Sequence, residues 1–193
     1  RVTDHLVREI TFPDYDSDSS ALVKMYLAGQ FGDKPDDVNA YAASSFYAVD
    51  RYAGYKSDWG KFYEEGGILI ADRYTTSNAV HQCSKLPPEQ WDTFLQWLFD
   101  YEYHLLGLPA PDKVIYLQVD PAVSQRLMTA ATMATRPGRM SMKRTPNTWP
   151  AAPGGRILRR SPRLGYRPLH GREKMRSIED IQEEVRTLAL AVI

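Results

Sequence analysis

The chain has 193 residues, of which 43% are apolar and 25% charged, with equal numbers of basic and acidic side chains. This length and composition fit one α/β domain and exclude wholesale disorder. The single cysteine, Cys83, excludes an internal disulfide framework and a cysteine-rich zinc site. No apolar stretch approaches the roughly 18 residues of a membrane-spanning helix and no secretory signal is present, so we expect a cytoplasmic protein with no membrane partner.

The neutral overall charge hides an uneven distribution. No acidic residue lies between Asp120 and Glu173, and the interval 121–172 holds 11 of the 24 basic residues and seven of the 13 prolines. This segment has neither helical nor strand periodicity. A nucleic-acid-binding arm and a solvated linker are two interpretations, but no aromatic ladder accompanies the arginines, so we expect no nucleic-acid partner.

Helices and strands alternate in the first third of the chain. Residues 6–12 predict a strand that ends at Phe12 and Pro13, and Ser20 is predicted to cap a helix. Pro35 and two aspartates favour the start of a long helix over 35–53, followed by a second helix over 56–64. A run of four apolar residues, 68–71, predicts a strand buried on both faces.

The second part of the chain continues this alternation. A helix beginning at 87–89 should bury an apolar stripe with helical periodicity: Trp91, Phe94, Leu95, Trp97, Leu98, Tyr101 and Leu105. A buried strand over 113–119, a helix beginning at 122–130 and a closing helix over 178–191, capped by Ser177, follow. The order predicts an α/β fold with a parallel sheet flanked by helices.

Charged side chains follow the apolar strand over 68–71. Asp72 and Arg73 come directly after it, and ligands of parallel sheets bind beyond the carboxyl ends of the strands. Arg73, together with Arg51 near the end of the long predicted helix, suits an anionic ligand such as phosphate, and Asp72 suits magnesium. The alternatives are a surface Asp72–Arg73 ion pair, a solvated Arg51, and core packing for the aromatics Phe46, Tyr47, Tyr52 and Tyr55.

Several short motifs, in their joint order, resemble the thymidylate kinase (dTMP kinase) family of P-loop nucleoside monophosphate kinases. The resemblance covers about residues 7–130 and resumes at 174–181. The motifs are Phe12-Pro-x-Tyr15, Lys24-Met-Tyr-Leu27, Tyr47-Ala-Val-Asp-Arg51, Gly67-Ile-Leu-Ile-Ala-Asp-Arg-Tyr74, Ser77-x-x-x-x-Gln82, Leu108-Pro-x-Pro-Asp-x-Val-Ile-Tyr-Leu117 and Arg126.

The resemblance implies a role for each matching side chain. Asp72 and Arg73 would be catalytic, with Asp72 near magnesium and Arg73 on the substrate phosphate. Arg51 would read the base edge, and Tyr47 would stack on thymine where the family usually has Phe. The other residues implied to line the substrate site are Phe12, Pro13, Ser77, His81 and Gln82. His81 replaces the family's usual Tyr or Phe beside the deoxyribose.

The implied reaction transfers the γ-phosphoryl group of ATP to dTMP, giving dTDP for dTTP biosynthesis, with Mg²⁺ as the cofactor. The expected partners are dTMP, ATP and, because the family is commonly dimeric, a second copy of the chain. A related deoxynucleoside or nucleotide kinase and a nucleotide-binding protein without catalytic activity remain alternatives.

Two family features do not occur in these 193 residues. No phosphate-binding loop of the G-x-x-x-x-G-K-[ST] type is present, so we expect a missing N-terminal segment and impaired phosphoryl transfer. The family's charged lid is also absent from 131–172. Plausible codons for 140–150, read one base earlier, encode Asp-Val-His-Glu-Lys-Asp, which resembles that lid, so we hypothesise that 131–172 is translated out of frame.

Overall fold

The computed structural model of the chain describes residues 6–117, 167–168 and 177–191. The chain divides into two compact units, Arg1–Ala110 and Pro111–Ile193. The expectation of a single domain stays a prediction. None of the helices in the described part of the chain is long and apolar enough to cross a membrane.

Two parallel strands form the sheet of the first unit. β1 is Val7–Thr11 and β2 is Ile68–Asp72, paired so that the first residues of both strands lie opposite each other and likewise the last. A backbone hydrogen bond from Phe12 N to Asp72 O, 3.1 Å long, extends the ladder beyond β1. The strand predicted over 6–12 is therefore confirmed, and the parallel pair joined by helices gives the predicted α/β architecture.

β2 is not buried on both faces, so that prediction for 68–71 is wrong. Leu69 packs against the core of the first unit, but Ile70 lies on the opposite face and is 56% exposed. Ala71 is exposed as well. The physical reason is that β1 is the only strand paired with β2 among the described residues, and no described helix covers the face on which Ile70 lies.

The long helix begins later than predicted. α2 is Ala40–Gly54, and Asn39 caps it by accepting a hydrogen bond from Ala42 N at 2.9 Å. The predicted start near residue 35 is wrong, because Pro35–Asp37 forms a separate 3₁₀ turn. The backbone of Val38 is extended and separates that turn from α2.

α2 continues into the segment predicted as a second helix. A π-helical turn, Tyr55–Trp59, joins α2 to α3, which is Gly60–Glu64. The two predicted helices are therefore one helical run with one wider turn. Gly60 makes this turn possible, since a Cβ there would lie 2.2 Å from the carbonyl oxygen of Tyr55.

Two shorter helices lie on either side of this run in sequence. α1 is Ala21–Leu27, and its leading 3₁₀ turn is capped by Ser17, which accepts a hydrogen bond from Ser19 N. The predicted cap, Ser20, makes no side-chain capping bond, because its hydroxyl donates to Ser17 O instead. α4, Thr75–Cys83, had not been predicted and begins directly after the Asp-Arg-Tyr segment.

A second π-helical turn follows α5, the helix predicted from 87–89. α5 is Trp91–Phe99 and the turn is Asp100–Leu105. The wider turn shifts the helical periodicity by about one residue. Leu105, predicted to lie on the buried stripe, is 72% exposed for this reason, and Glu102 is fully buried.

Aromatic side chains form the core between the sheet and the helical run. The buried residues of this cluster are Ile10, Phe12, Trp59 and Leu108. The ring of Phe12 lies 6.2 Å from that of Trp59 and 6.0 Å from that of Tyr74. This packing fixes the end of β1 against the segment that follows β2.

The second unit contains a short parallel pair and a closing helix. β3, Ile115–Tyr116, pairs with β4, Arg167–Pro168. β3 is shorter than the predicted strand 113–119, because residues 113, 114 and 117 are described and lie outside it. β4 lies within 131–172, which we had expected to be irregular throughout. Residues 118–119, the predicted helix over 122–130 and the rest of 131–172 lie outside the described residues.

The closing helix of the second unit agrees with its prediction. α6 is Ile178–Leu190, against the predicted 178–191. Ser177 caps it by accepting a hydrogen bond from Asp180 N at 3.1 Å. The predicted cap is therefore confirmed.

Candidate functional site

Arg51 lies at the centre of a buried charged network. Its side chain is 2% exposed and that of Glu102 is fully buried. Arg51 Nε donates to Glu102 Oε2 at 2.7 Å, and Nη2 donates to Oε1 at 2.6 Å. Arg51 is therefore not the solvated helix residue considered as an alternative, and its charge is matched inside the protein.

Residues that follow β2 complete this network. Thr75 Oγ1 donates to Glu102 Oε2 at 2.8 Å, so the carboxylate accepts three hydrogen bonds. The guanidinium carbon of Arg51 lies 5.8 Å from the centroid of the Tyr74 ring. Tyr74 donates its hydroxyl to Pro109 O, and burial raises its pKa. The network thus joins α2, the start of α4 and the turn after α5.

Arg73 differs from Arg51 in every respect that matters for ligand binding. It is exposed and has a φ of 65°, the left-handed conformation that non-glycine residues rarely adopt. Within the described ranges, no residue forms a hydrogen bond or an ion pair with its guanidinium, so the predicted alternative of an Asp72–Arg73 ion pair is not observed. Its charge is therefore available to an anion.

Tyr47 feels the charge of both arginines. Burial raises its pKa to about 12, and the Tyr26 and Tyr15 hydroxyls add to this increase, whereas the Arg73 and Arg51 cations oppose it. The ring of Tyr26 meets that of Tyr47 edge to face at 6.5 Å. Tyr47 is therefore the side chain at which the two arginine environments come together.

His81 belongs to the same group. Its pKa is lowered from 6.5, first by partial desolvation and second by the Arg73 cation. Arg73 therefore acts electrostatically on two other predicted substrate-site residues, Tyr47 and His81, and Arg51 acts on Tyr47.

Gln82 is a buried residue of α4. It is 3% exposed, and no described residue supplies a hydrogen-bond partner for its Oε1. Asn78, one turn earlier, donates from Nδ2 to Ser44 O at 3.2 Å and so links the two helices. Ser77 is half-buried, and its backbone N–H donates to Tyr74 O.

Phe12 and Pro13 are buried in the core rather than in contact with Tyr47. Phe12 reaches the arginine network through one ring, that of Tyr74. The segment after Pro13 is held by Asp50, which accepts hydrogen bonds from Asp14 N at 3.0 Å and from the Ser19 hydroxyl. Asp50 therefore fixes the loop that begins at Pro13.

Asp72 lies at the exposed end of β2. In the described part of the chain, no group of three His, Cys, Asp or Glu side chains could hold a metal ion. A single carboxylate nevertheless fits magnesium, because this ion is commonly held by one or two carboxylates together with substrate phosphates and water.

Asp50, Thr75 and Glu102 support the site, and sequence reasoning gave none of them a role. Glu102 had the clearest signal. Glu102 comes four residues after Leu98 and thus falls on the apolar stripe of its helix, where an acidic residue needs a buried partner. Asp50 precedes Arg51 in a helix of small and aromatic residues, but nothing local indicates its partners at 14 and 19.

Known proteins with similar sequences are thymidylate kinases. The enzyme of Mycobacterium tuberculosis is 30% identical over 122 residues, which are 62% of this chain and 55% of that protein. A probable thymidylate kinase of Staphylothermus marinus is 32% identical over 85 residues, which are 44% of this chain and 38% of that protein. The enzyme of Caenorhabditis elegans is 30% identical over 114 residues, which are 58% of this chain and 45% of that protein. No model of a protein family matches the chain.

The solved structure of thymidylate kinase from Candida albicans has a similar fold. It aligns with a TM-score of 0.56 and 15% identity, and the alignment covers 96% of this chain and 80% of that one. The chain spans about half the length of the curated relatives it matches. In sequence and in fold the chain is therefore thymidylate kinase-like, with the α/β architecture of P-loop kinases.

Proposed function

We propose that the chain binds thymidine 5′-monophosphate between α2 and α4 as the acceptor of a phosphoryl group from ATP. The observation that carries this proposal is the pairing of two different arginines around Tyr47. Arg73 has no acidic partner among the described residues, and Arg51 is neutralised by Glu102. A ligand with an anionic end and a neutral polar end suits this arrangement, and a nucleoside monophosphate is such a ligand.

Each predicted residue has a role in this proposal. Arg73 binds the dTMP phosphate, and Tyr47 stacks against the thymine ring. Arg51 donates hydrogen bonds to the base edge, and His81 lies beside the sugar. Ser77 and Gln82 line the site from α4, and Phe12 and Pro13 support it from the core.

The reaction requires little covalent chemistry from the protein. An oxygen of the dTMP phosphate attacks the γ-phosphorus of ATP, the bond to the β-phosphate oxygen breaks, and dTDP and ADP result. Magnesium, when bound, neutralises the phosphate oxygens. Asp72 is the residue that would hold it, and Arg73 would orient the attacking phosphate.

The donor side is where we expect these 193 residues to be deficient. They contain no G-x-x-x-x-G-K-[ST] sequence, whose amides and lysine cradle the donor phosphates in P-loop enzymes. We therefore propose that this chain transfers the phosphoryl group slowly at best. Acceptor binding is the property that tests the proposed site.

Titration calorimetry with dTMP tests the proposal directly. The variant Arg73→Asn removes the guanidinium while keeping a residue that tolerates a positive φ. Because a charge-assisted hydrogen bond contributes about 1.5–3 kcal/mol, we expect dTMP to bind roughly 10- to 100-fold more weakly to this variant. Arg186→Asn, at an exposed position of α6, removes the same charge and should leave binding unchanged.

Two outcomes would contradict the proposal. The first is the absence of dTMP binding by the unaltered chain, and the second is equal binding by the Arg73→Asn variant. Titrations with dUMP, dCMP and deoxynucleosides separate dTMP from related acceptors. This comparison is pertinent because the Candida albicans enzyme has broad substrate specificity. Tighter binding of dCMP than of dTMP would favour a related nucleotide kinase.

A further inference from the structure

We infer that Glu102 is a specificity-determining positioning residue: by neutralising and orienting Arg51, it dedicates that arginine to the uncharged base and leaves the phosphate to Arg73. This inference rests on the proposed function. It concerns a residue that touches no ligand itself and acts only through Arg51.

The hydrogen bonds of the pair fix the direction of the guanidinium. Glu102 uses two of the five N–H groups of Arg51, those on Nε and on one side of Nη2. The guanidinium is planar, so the three remaining N–H groups lie along its other edges, away from the carboxylate. A third bond, from Thr75 to Oε2, holds the carboxylate itself in place.

Burial makes this orientation firm. Arg51 and Glu102 are 2% and 0% exposed, and Thr75 is fully buried as well. Neither side chain of the pair can be solvated if it turns away, and leaving one charge unpaired would be costly. The unused N–H donors of Arg51 are therefore held in one direction. They belong to the same guanidinium whose positive charge acts on Tyr47.

The charge balance assigns the two arginines different ligands. A phosphate dianion at Arg51 would meet the Glu102 carboxylate on the same guanidinium, and the two anions would repel each other. No described residue opposes an anion at Arg73 in this way. A neutral carbonyl oxygen, such as those of a pyrimidine, can accept from Arg51 without that repulsion.

The variant Glu102→Gln tests the inference because it keeps the shape of the side chain and removes its charge. Titration calorimetry with thymidine and with inorganic phosphate measures the two ends of the ligand separately. We expect thymidine to bind about tenfold more weakly, because a glutamine can accept only one of the two arginine bonds and orients Arg51 less well. We expect phosphate to bind severalfold more tightly, because Arg51 then carries an uncompensated charge.

The opposite directions of the two changes separate this role from a merely structural one. A loosened fold would weaken the binding of thymidine and of phosphate together. The control Glu64→Gln makes the same chemical change on α3, at an exposed carboxylate that accepts from the Tyr55 hydroxyl, and should alter neither affinity. Unchanged thymidine affinity in folded Glu102→Gln protein would overturn the inference.

A second variant keeps the test decisive if Glu102→Gln does not fold. Thr75→Val removes one of the three hydrogen bonds to the carboxylate and conserves the side-chain volume. This variant should bind thymidine severalfold more weakly and phosphate with unchanged affinity. A thymidine affinity equal to that of the unaltered chain would overturn the inference. Failure of the unaltered chain to bind dTMP would refute the proposed function instead, so the two failures are distinguishable.

Discussion

The π-helical turn between α2 and α3 allows a prediction whose sign depends on the tertiary structure. From helix propensity alone, replacing Gly60 by Ala in a helical run should stabilise the protein by about 1 kcal/mol. The structure predicts the reverse. A Cβ at Gly60 would lie 2.2 Å from Tyr55 O and 2.8 Å from Tyr55 Cδ2, far inside ordinary van der Waals contact.

The magnitude follows from what must move. The carbonyl oxygen belongs to the backbone of the π-turn and cannot rotate away, as the end of a side chain could. Overpacking of this kind costs about 1–3 kcal/mol and sometimes more, and it has to exceed the propensity gain of about 1 kcal/mol. Because the clash is with a backbone atom, we take the upper end of this range, about 3 kcal/mol. Subtracting the propensity gain of about 1 kcal/mol, we expect Gly60→Ala to lower the free energy of unfolding by about 2 kcal/mol.

Urea unfolding monitored by circular dichroism gives this quantity, and Gly66→Ala is the matched control. Gly66 has a φ of 87° and no atom within 4 Å of a built Cβ, so its substitution tests backbone strain alone. That strain costs about 1–2 kcal/mol. A Gly60→Ala variant as stable as the unaltered chain, or more stable, would refute the argument from the π-turn.

Three further predictions concern groups around the site. Asp50→Ala should lower the free energy of unfolding by about 1–3 kcal/mol, because it strands Asp14 N and leaves the Ser19 hydroxyl with Ser17 Oγ as its remaining partner; a urea midpoint shift worth under about 0.5 kcal/mol would contradict this. The pKa of His81 is lowered by folding, so its contribution to stability is complete above pH 6.5 and is lost as the pH falls towards the folded-state pKa. The urea unfolding midpoint should therefore decline less between pH 7 and 5 in the His81→Gln variant than in the unaltered chain. An equal decline in both proteins would contradict this prediction. Cys83 is fully buried with its pKa raised to about 12, so a thiol reagent at pH 8 should label it only at the rate of unfolding, whereas rapid labelling of native protein would contradict the burial.

Local signals predicted most of the elements correctly. The strand over 6–12, the helix from 87–89 and the cap at Ser177 depend on residues close together in sequence, and all three are observed. The predicted start at Pro35 was wrong by five residues, because Asn39 accepts the backbone hydrogen bond at the start of α2. The start of α1 directly after Ser20 was predicted correctly, but Ser17 makes the capping bond of the 3₁₀ turn before it.

Burial was predicted less well, because it depends on partners. The run 68–71 is apolar enough for a strand covered on both faces, yet Ile70 is exposed, since no described element covers its face of the sheet. Leu105 has the spacing of a buried position. The π-helical turn that ends at Leu105 changes this spacing, and a pattern with a fixed 3.6-residue repeat cannot predict such a turn.

The sequence by itself determined which residue types stand at the end of β2 and along α2: an aspartate, two arginines and a tyrosine whose chemistry suits a nucleotide. Only the tertiary structure decided that these arginines differ. Arg51 lies opposite Glu102, 51 residues away, and the two form a buried ion pair that is neutral overall, whereas Arg73 stays exposed without an acidic partner in the described residues. Charge pairing depends on distance in space and on exclusion of water, and neither quantity is local in sequence.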